Sequence, residues 1–346
     1  MNNIELKQQD ALEFLIGVPD KSVDLVLVDP PYITSRETGM NKWVEHVEKQ
    51  DAQDAEDVHT EEDWEKYKSL EEWHHWFKGG KVHIKHWAKS RCKMKQDYIK
   101  YGSIYGKKYA VKTDYGSWDS EFTLEMLEKC VKHFYRVLKD GGICIIFFDI
   151  WKISQLKDLL EAAGPKLKRP TPRKRKKDET EEEFERRRQD ALVRPDKQIG
   201  FNQLRFIEWI KTNPQPLNSS RNYLTNCREI ALLGIKKGSG TFNSKYDNGI
   251  YKYPIQGGDA SERFHPTQKS LKLFEELITK HSNKGDVVLD CFLGSGTTAV
   301  AALNTEREFI GCEIDNGYYN KMVERLEKYK NEREKKQDPI RGAART

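Results

Sequence analysis

Six residues near the amino terminus, Val23-Asp24-Leu25-Val26-Leu27-Val28, constrain this chain more than any other stretch. They form an almost unbroken apolar run that halts at Asp29-Pro30-Pro31-Tyr32. A strand with one wet face alternates apolar and polar side chains. A strand apolar on both faces is covered on both sides, as in the parallel sheets of α/β proteins. The two prolines end the ladder, because neither has an N–H to contribute to it. A second apolar run, Val287–Asp290, leads directly into Cys291-Phe292-Leu293-Gly294-Ser295-Gly296 and then into helix-forming residues from Thr297.

Around these two runs the periodicity alternates. It predicts a strand over 4–6, a helix over 11–16, and a helix over 124–138 stopped by Gly141-Gly142. A strand over 143–148 and a helix over 153–163 follow, the latter stopped by Gly164-Pro165. Strands over 204–209 and 229–235 flank a polar loop, and 237–262 have little periodicity. A helix over 270–281, a helix over 297–303, a strand over 308–312 and a helix over 318–329 complete the pattern. Strands alternating with helices argue for an α/β fold with a parallel sheet covered on both faces.

Two segments break the pattern. Residues 45–72 hold 12 acids and 3 bases, whereas residues 77–112 hold 11 bases, one acid and six interleaved aromatics. The charged fraction of the chain is 33%, above the ~25% of an ordinary domain. The net charge is only +5, so the local asymmetry is the better pointer to a polyanionic partner. The reading that follows has one discontinuous core domain, 1–35 with 116–165 and 199–330. It carries a basic and aromatic insertion at 36–115, a charged insertion at 166–198, and a flexible polar tail at 331–346. No apolar stretch approaches the ~20 residues of a transmembrane helix, and the start MNNIELKQQD has no apolar signal segment. A cytoplasmic setting is expected, with reduced thiols. The six cysteines, Cys92, Cys130, Cys144, Cys227, Cys291 and Cys312, have no zinc-ligand spacing, and no Pro-Cys dipeptide occurs.

Two motifs carry chemistry. At Asp290–Thr298 a glycine turn joins a strand to a helix, where backbone N–H groups face a ligand. An acid at the next strand end, in Gly311-Cys312-Glu313-Ile314-Asp315, suits a ribose diol. The glycine spacing is neither G-x-G-x-x-G nor a P-loop. At Asp29-Pro30-Pro31-Tyr32, a stiffened turn at a strand's carboxyl end presents a carboxylate, a carbonyl and an aromatic face together. That combination suits a planar group with an exocyclic amine.

In this order, the two motifs resemble the S-adenosylmethionine-dependent amino-methyltransferases of DNA, in their permuted beta group. The resemblance extends to Gln9-Asp10-Ala11-Leu12-Glu13, to Ile207-Glu208-Trp209-Ile210-Lys211 followed by Asn213-Pro214-Gln215-Pro216, to Asn226-Cys227-Arg228-Glu229-Ile230, and to Phe264-His265-Pro266-Thr267-Gln268-Lys269-Ser270. It covers about 1–35, 118–165 and 199–325, and leaves out both insertions.

The resemblance implies that S-adenosylmethionine lies over Asp290, Phe292, Gly294, Ser295, Gly296, Thr297 and Thr298. Glu313 would accept from its ribose hydroxyls, Asp10 and Ala11 would lie beside its adenine, and Thr267, Gln268 and Lys269 would hold its methionine end. Lys269 could also be a surface lysine at a helix start, and Asp315, a further cofactor candidate, a solvent-facing acid. Asp29 and the Pro30 carbonyl would accept the N–H groups of the target amine. Pro31 would stiffen the turn and Tyr32 would stack on the flipped base. Trp118, Phe148 and Trp209 are possible pocket walls, or core. No metal is required.

Asp rather than Ser at the head of the tetrapeptide favours adenine N6 over cytosine N4, which stays open as the alternative. The lack of a Pro-Cys turn disfavours cytosine C5 chemistry. A non-catalytic DNA-binding subunit and an RNA methyltransferase are the readings from other classes. The expected partner is double-stranded DNA, with the 36–115 insertion as the candidate target-recognition segment and Lys85, Lys89, Arg91, Lys93 and Lys95 as its phosphate contacts. A homodimer and a cognate restriction endonuclease are further expected partners.

Overall fold

The structure is a computed structural model. It describes residues 3–32, 59–68, 95–96, 98–99, 122–167, 174–193, 197–214, 227–255, 264–265 and 267–337. The chain divides into two compact units, Met1–Ile33 with Ser117–Thr346, and Thr34–Gly116.

The larger unit is built on strands β1 (Ile4–Gln8), β2 (Val23–Val28), β3 (Leu138–Phe148), β6 (Asn202–Lys211), β7 (Arg228–Ile235), β8 (Ile250–Tyr253), β9 (Val287–Asp290) and β10 (Glu308–Glu313), with a separate two-residue pair β4 (Lys166–Leu167) and β5 (Lys197–Gln198). The eight-stranded sheet has the order β1-β10-β9-β2-β3-β7-β6-β8. From β1 to β3 every pairing is parallel, whereas β7 is antiparallel to both β3 and β6. One strand is therefore reversed within an otherwise parallel sheet, and its first residues reach the edge where its neighbours end. Ile230 of β7 lies opposite Phe148 at the end of β3.

The unbroken apolar run of β2 now has its reason. Val26 and Val28 face a core shared with the Ala11–Gly17, Leu124–Val137 and Ile153–Glu161 helices, through Leu15, Leu127, Phe134, Leu156 and Leu160. Leu25 and Leu27 face the opposite core, with Leu273, Phe274, Val300 and Met322 from the Leu271–His281, Thr297–Asn304 and Asn316–Gln337 helices. Phe148 and Trp209 are core residues, each 1% exposed. Trp118 lies outside the described residues.

The structure departs from the sequence pattern in four places. The helix from Leu124 ends at Val137, and Gly141-Gly142 fall inside β3. Leu138 turns extended at ψ 141° and enters the sheet at once. Residues 250–253, without visible periodicity, pair in parallel with β6. The charged insertion, whose acid and base spacing suits the helix it holds at Glu181–Val193, also pairs its two ends as β4 and β5, which the pattern did not show. The final helix runs on to Gln337 rather than fraying after Lys330. Lys330 pairs with Glu327 at 2.8 Å, and Arg333 reaches Glu306 at 3.6 Å and the Leu303 carbonyl, which pins the last turns. Among the described residues no helix is long and apolar enough to cross a membrane.

In the smaller unit the Glu61–Lys68 helix opens on a reciprocal cap. Thr60 N and Oγ1 donate to Asp63 Oδ2 at 2.8 and 2.7 Å, and Asp63 N donates back to Thr60 Oγ1 at 3.2 Å. Trp64 is buried, with the Tyr98 ring 5.6 Å away. Lys95 pairs with Glu61 at 2.9 Å, so at this point the acidic run neutralises a base of the basic run.

Candidate active site at the carboxyl edge of the sheet

Because β1, β10, β9, β2 and β3 run parallel, Gln8, Glu313, Asp290, Val28 and Phe148 end on one edge. The register sets Gln8 against Glu313 and Asp290 against Gly311. The glycine turn after β9 and the Asp29 turn after β2 are thus neighbours by topology.

In the glycine turn, Asp290 Oδ1 accepts from Phe292 N at 2.9 Å and Oδ2 accepts from Thr298 Oγ1 at 2.5 Å. Burial pushes its carboxyl up to about 7, against these two hydrogen bonds. Gly294 (φ +48°) and Gly296 (φ +73°) are left-handed, and a Cβ at Gly296 would overlap the buried Met322 side chain. Ser295, Thr297 and Thr298 turn inward: Arg325 donates to the Ser295 carbonyl at 2.8 Å and to Thr297 Oγ1 at 3.3 Å. Their side chains build the turn, and Phe292 packs edge-on against Phe122 at 5.4 Å.

Glu313 clamps the turn from β10. Its Oε2 accepts from Gly294 N at 2.7 Å and its Oε1 from Asp315 N at 3.0 Å. Burial raises its pKa against those donors. Asp315 accepts from Tyr318 N at 2.7 Å and so caps the final helix. Asp10 caps the first helix through Leu12 N at 2.8 Å, with Ala11 packed against the core, and Gln9 N donates to the Glu313 carbonyl at 3.1 Å. His265 lies over Gly294 and against Tyr318, its ring accepting from Thr267 N at 3.4 Å and 3.1 Å from Thr267 Oγ1. Burial, aided by the Lys269 charge, lowers the His265 pKa to about 4, leaving it neutral at pH 7.

At the second turn Pro30 is buried, and Tyr32 meets Phe148 edge-on at 6.4 Å. Lys269 is not on the surface: it is 6% exposed, and Gln268 beside it is 3% exposed. Lys269 Nζ lies 2.9 Å from Asp29 Oδ2, 2.5 Å from Glu229 Oε2 and 3.4 Å from the Tyr32 hydroxyl. Lys211, at the end of β6, holds the other Glu229 oxygen at 2.6 Å. Among the described residues, the buried Asp29 Oδ1 has no hydrogen-bond partner.

Charge balance explains the protonation states. Burial pushes Asp29 up to about 6, although the Lys269 ammonium pulls it down. Burial would also raise Glu229, but Lys269 and Lys211 hold it below its ordinary value. Burial alone would lower Lys269; Asp29 and Glu229 more than offset this and hold it well above the ordinary lysine value. Tyr32, half-buried beside Asp29, is raised well above its usual range by desolvation and by the Asp29 charge, and stays protonated.

The sequence reading found both turns but gave no role to Glu229, Lys211, His265 or Arg325. Lys211, Glu229 and His265 fall within the motifs at 207–211, 226–230 and 264–270 that carry the resemblance, and Glu229 is also an acid ahead of the apolar run of β7. Of the DNA-contact candidates, Lys85, Lys89, Arg91 and Lys93 lie outside the described residues.

An eight-stranded sheet with one reversed strand, carrying a glycine turn and an Asp-Pro-Pro-Tyr turn on one edge, defines a Rossmann-like methyltransferase fold. The family model described as DNA methylase (N6/N4 methyltransferase) matches residues 23–324, and the chain belongs to that family. It is 35% identical over 143 residues to the type II methyltransferase M2.DpnII of Streptococcus pneumoniae, covering 38% of this chain and 53% of that protein. It is 27% identical over 248 residues to the type II methyltransferase M.HpaI of Haemophilus parainfluenzae, covering 63% of this chain and 65% of that one. The chain thus spans about half to two thirds of the length of these relatives. The solved PvuII DNA methyltransferase (cytosine-N4-specific) shares the fold at TM-score 0.50 and 14% identity, over 96% of this chain and 91% of that one.

Proposed function

We propose that this protein transfers a methyl group from S-adenosylmethionine to the N6 amine of adenine in DNA. The observation that carries the reading is Asp29: one carboxylate oxygen is held by Lys269, and the other is a buried acceptor with no partner among the described residues. A buried acceptor without a donor is unfavourable unless a ligand supplies one. An exocyclic amine supplies it.

The residues of the glycine turn fit the cofactor. The left-handed glycines leave the backbone of the turn bare, and Glu313 retains lone pairs for ribose hydroxyls beyond the two N–H groups it accepts. Asp10 and Ala11 would flank the adenine. Lys269 has three N–H donors, and Asp29, Glu229 and Tyr32 take them, so the methionine end falls to Thr267 and Gln268. When bound, S-adenosylmethionine supplies an electrophilic methyl group.

The protein's own contribution is positional. The amine's lone pair is delocalised into the base ring and is a poor nucleophile. Asp29 Oδ1 and the Pro30 carbonyl accept its two N–H groups, which favours a pyramidal nitrogen whose lone pair leaves the ring plane. Tyr32 stacks on the base and fixes its plane. Orientation and a preorganised acceptor set then lower the barrier. Inside a duplex the amine is out of reach, so the base is flipped out. The type II methyltransferase relatives support DNA modification as the setting.

The test is to incubate plasmid DNA with the protein and S-adenosylmethionine, digest to nucleosides and identify the product by mass spectrometry. N6-methyladenine is the expected product. N4-methylcytosine would keep the mechanism and change the base. Asp29→Ala should lower the rate about a hundredfold or more; undiminished transfer would overturn the assignment of Asp29.

A further inference from the structure

We infer that Glu229 is a positioning residue that keeps Lys269 on one oxygen of Asp29 and so leaves the other oxygen open for the target amine. The inference rests on the methyl-transfer reading above and adds a part to the same site.

An ammonium has three N–H bonds and no acceptor. Lys269 directs them at Asp29 Oδ2, Glu229 Oε2 and the Tyr32 hydroxyl. Without Glu229, the freed N–H would need another acceptor, and Oδ1 of the carboxylate that Lys269 already holds is a buried one without a partner among the described residues. A lysine bridging both oxygens would occupy the acceptor that the amine needs. Glu229 prevents this from the far side, and it is itself fixed by Lys211 through its other oxygen. The result is a row of alternating charges, Lys211, Glu229, Lys269 and Asp29, ending in one open acceptor.

The fold explains how an acid comes to stand there. In an all-parallel sheet, the neighbour of β3 would bring its carboxyl end to this edge. The reversed β7 brings its amino end instead, with Glu229 opposite Trp209 of β6. Lys211 lies two residues beyond Trp209 on the parallel-running β6.

The test uses Glu229→Met in the full chain, which removes both acceptor oxygens at similar length, with Glu229→Asp as the variant that retains charge and acceptors. Carboxyl NMR of aspartate-labelled protein, assigned with Asp29→Asn, follows the titration of Asp29 whether or not the protein is turning over. Glu229 raises the Asp29 pKa through its negative charge. Glu229→Met should therefore lower the Asp29 midpoint, by about one unit. It should also cut kcat about tenfold or more, with KM for S-adenosylmethionine changed by less than about threefold. Glu229→Asp should keep the wild-type midpoint and recover part of kcat. General damage would reduce kcat without moving the midpoint. An unmoved Asp29 midpoint, or an unchanged kcat in Glu229→Met, overturns the role of Glu229. A wild-type protein that methylates no DNA overturns instead the reading on which that role rests.

Discussion

The acid limb of the reaction is the sharpest consequence of the site. Asp29 acts as a hydrogen-bond acceptor and works only when ionised. Its pKa is raised from an ordinary 3.8 to about 6, mainly by burial. By simple titration, about nine tenths of the protein has Asp29 ionised at pH 7 and about one tenth at pH 5. The value of kcat/KM should fall about tenfold between those two points, with unit slope below pH 6. With an ordinary carboxyl it would fall by less than about a tenth. Removing Lys269, whose charge holds the Asp29 pKa down, should move the limb to higher pH; Lys269→Met supplies that comparison.

The same shift has the opposite sign for stability. The folded carboxyl binds its proton more tightly than the unfolded one, so this group favours the fold at low pH and withdraws that support as pH rises through about 6. The difference is about 3 kcal/mol. Loss of rate at pH 5 is therefore not unfolding driven by Asp29, and circular dichroism at each pH checks this. The assay is incorporation of labelled methyl into DNA from pH 4.5 to 8, at subsaturating DNA. A profile flat down to pH 5 would refute the reasoning.

Two further outcomes are expected. Gly296→Ala places a side chain at φ +73° and against the buried Met322. It should destabilise by roughly 2–5 kcal/mol, from about 1–2 for the left-handed backbone and 1–3 for overpacking; urea unfolding measures this, and a loss under about 0.5 kcal/mol would contradict the turn geometry. Glu313→Gln exchanges one accepting oxygen for an amide that cannot accept from Gly294 or Asp315. Affinity for S-adenosylmethionine by calorimetry should drop about ten- to a hundredfold, the equivalent of a charged hydrogen bond of about 1.5–3 kcal/mol.

What could be read from sequence follows the range of the interactions. The strands Val23–Val28 and Val287–Asp290 have the bounds their apolar runs suggest, because both sheet faces are covered and every residue reports burial. The turns at Asp29 and Gly294 were visible because proline and glycine act locally. The helix ahead of β3 was drawn one residue too long because Val137 and Leu138 are both apolar; only a backbone turn at Leu138 separates helix from strand. β8 was missed because four residues bounded by Gly249 and Pro254 are too few to establish a period. The charge row was hidden for a different reason: Lys269 and Glu229 are 40 residues apart, and Lys269 and Tyr32 are 237 apart. Nothing local distinguishes a buried lysine at a helix start from an exposed one.

The row of alternating charges also governs how such a sequence can drift. Losing Glu229 or Lys269 alone strands a neighbour as an uncompensated charge in a buried place, which costs about 3–5 kcal/mol, a large share of a domain's net stability. Neutral exchange of those two together still leaves Lys211 and Asp29 without their partners, so only exchange along the whole row is mild. Substitutions at these positions are therefore passable as a set and hazardous singly. In descent, residues on two strands, a helix start and a loop behave as one inherited character, and a lineage that changes the acid on the reversed strand must change the lysine with it.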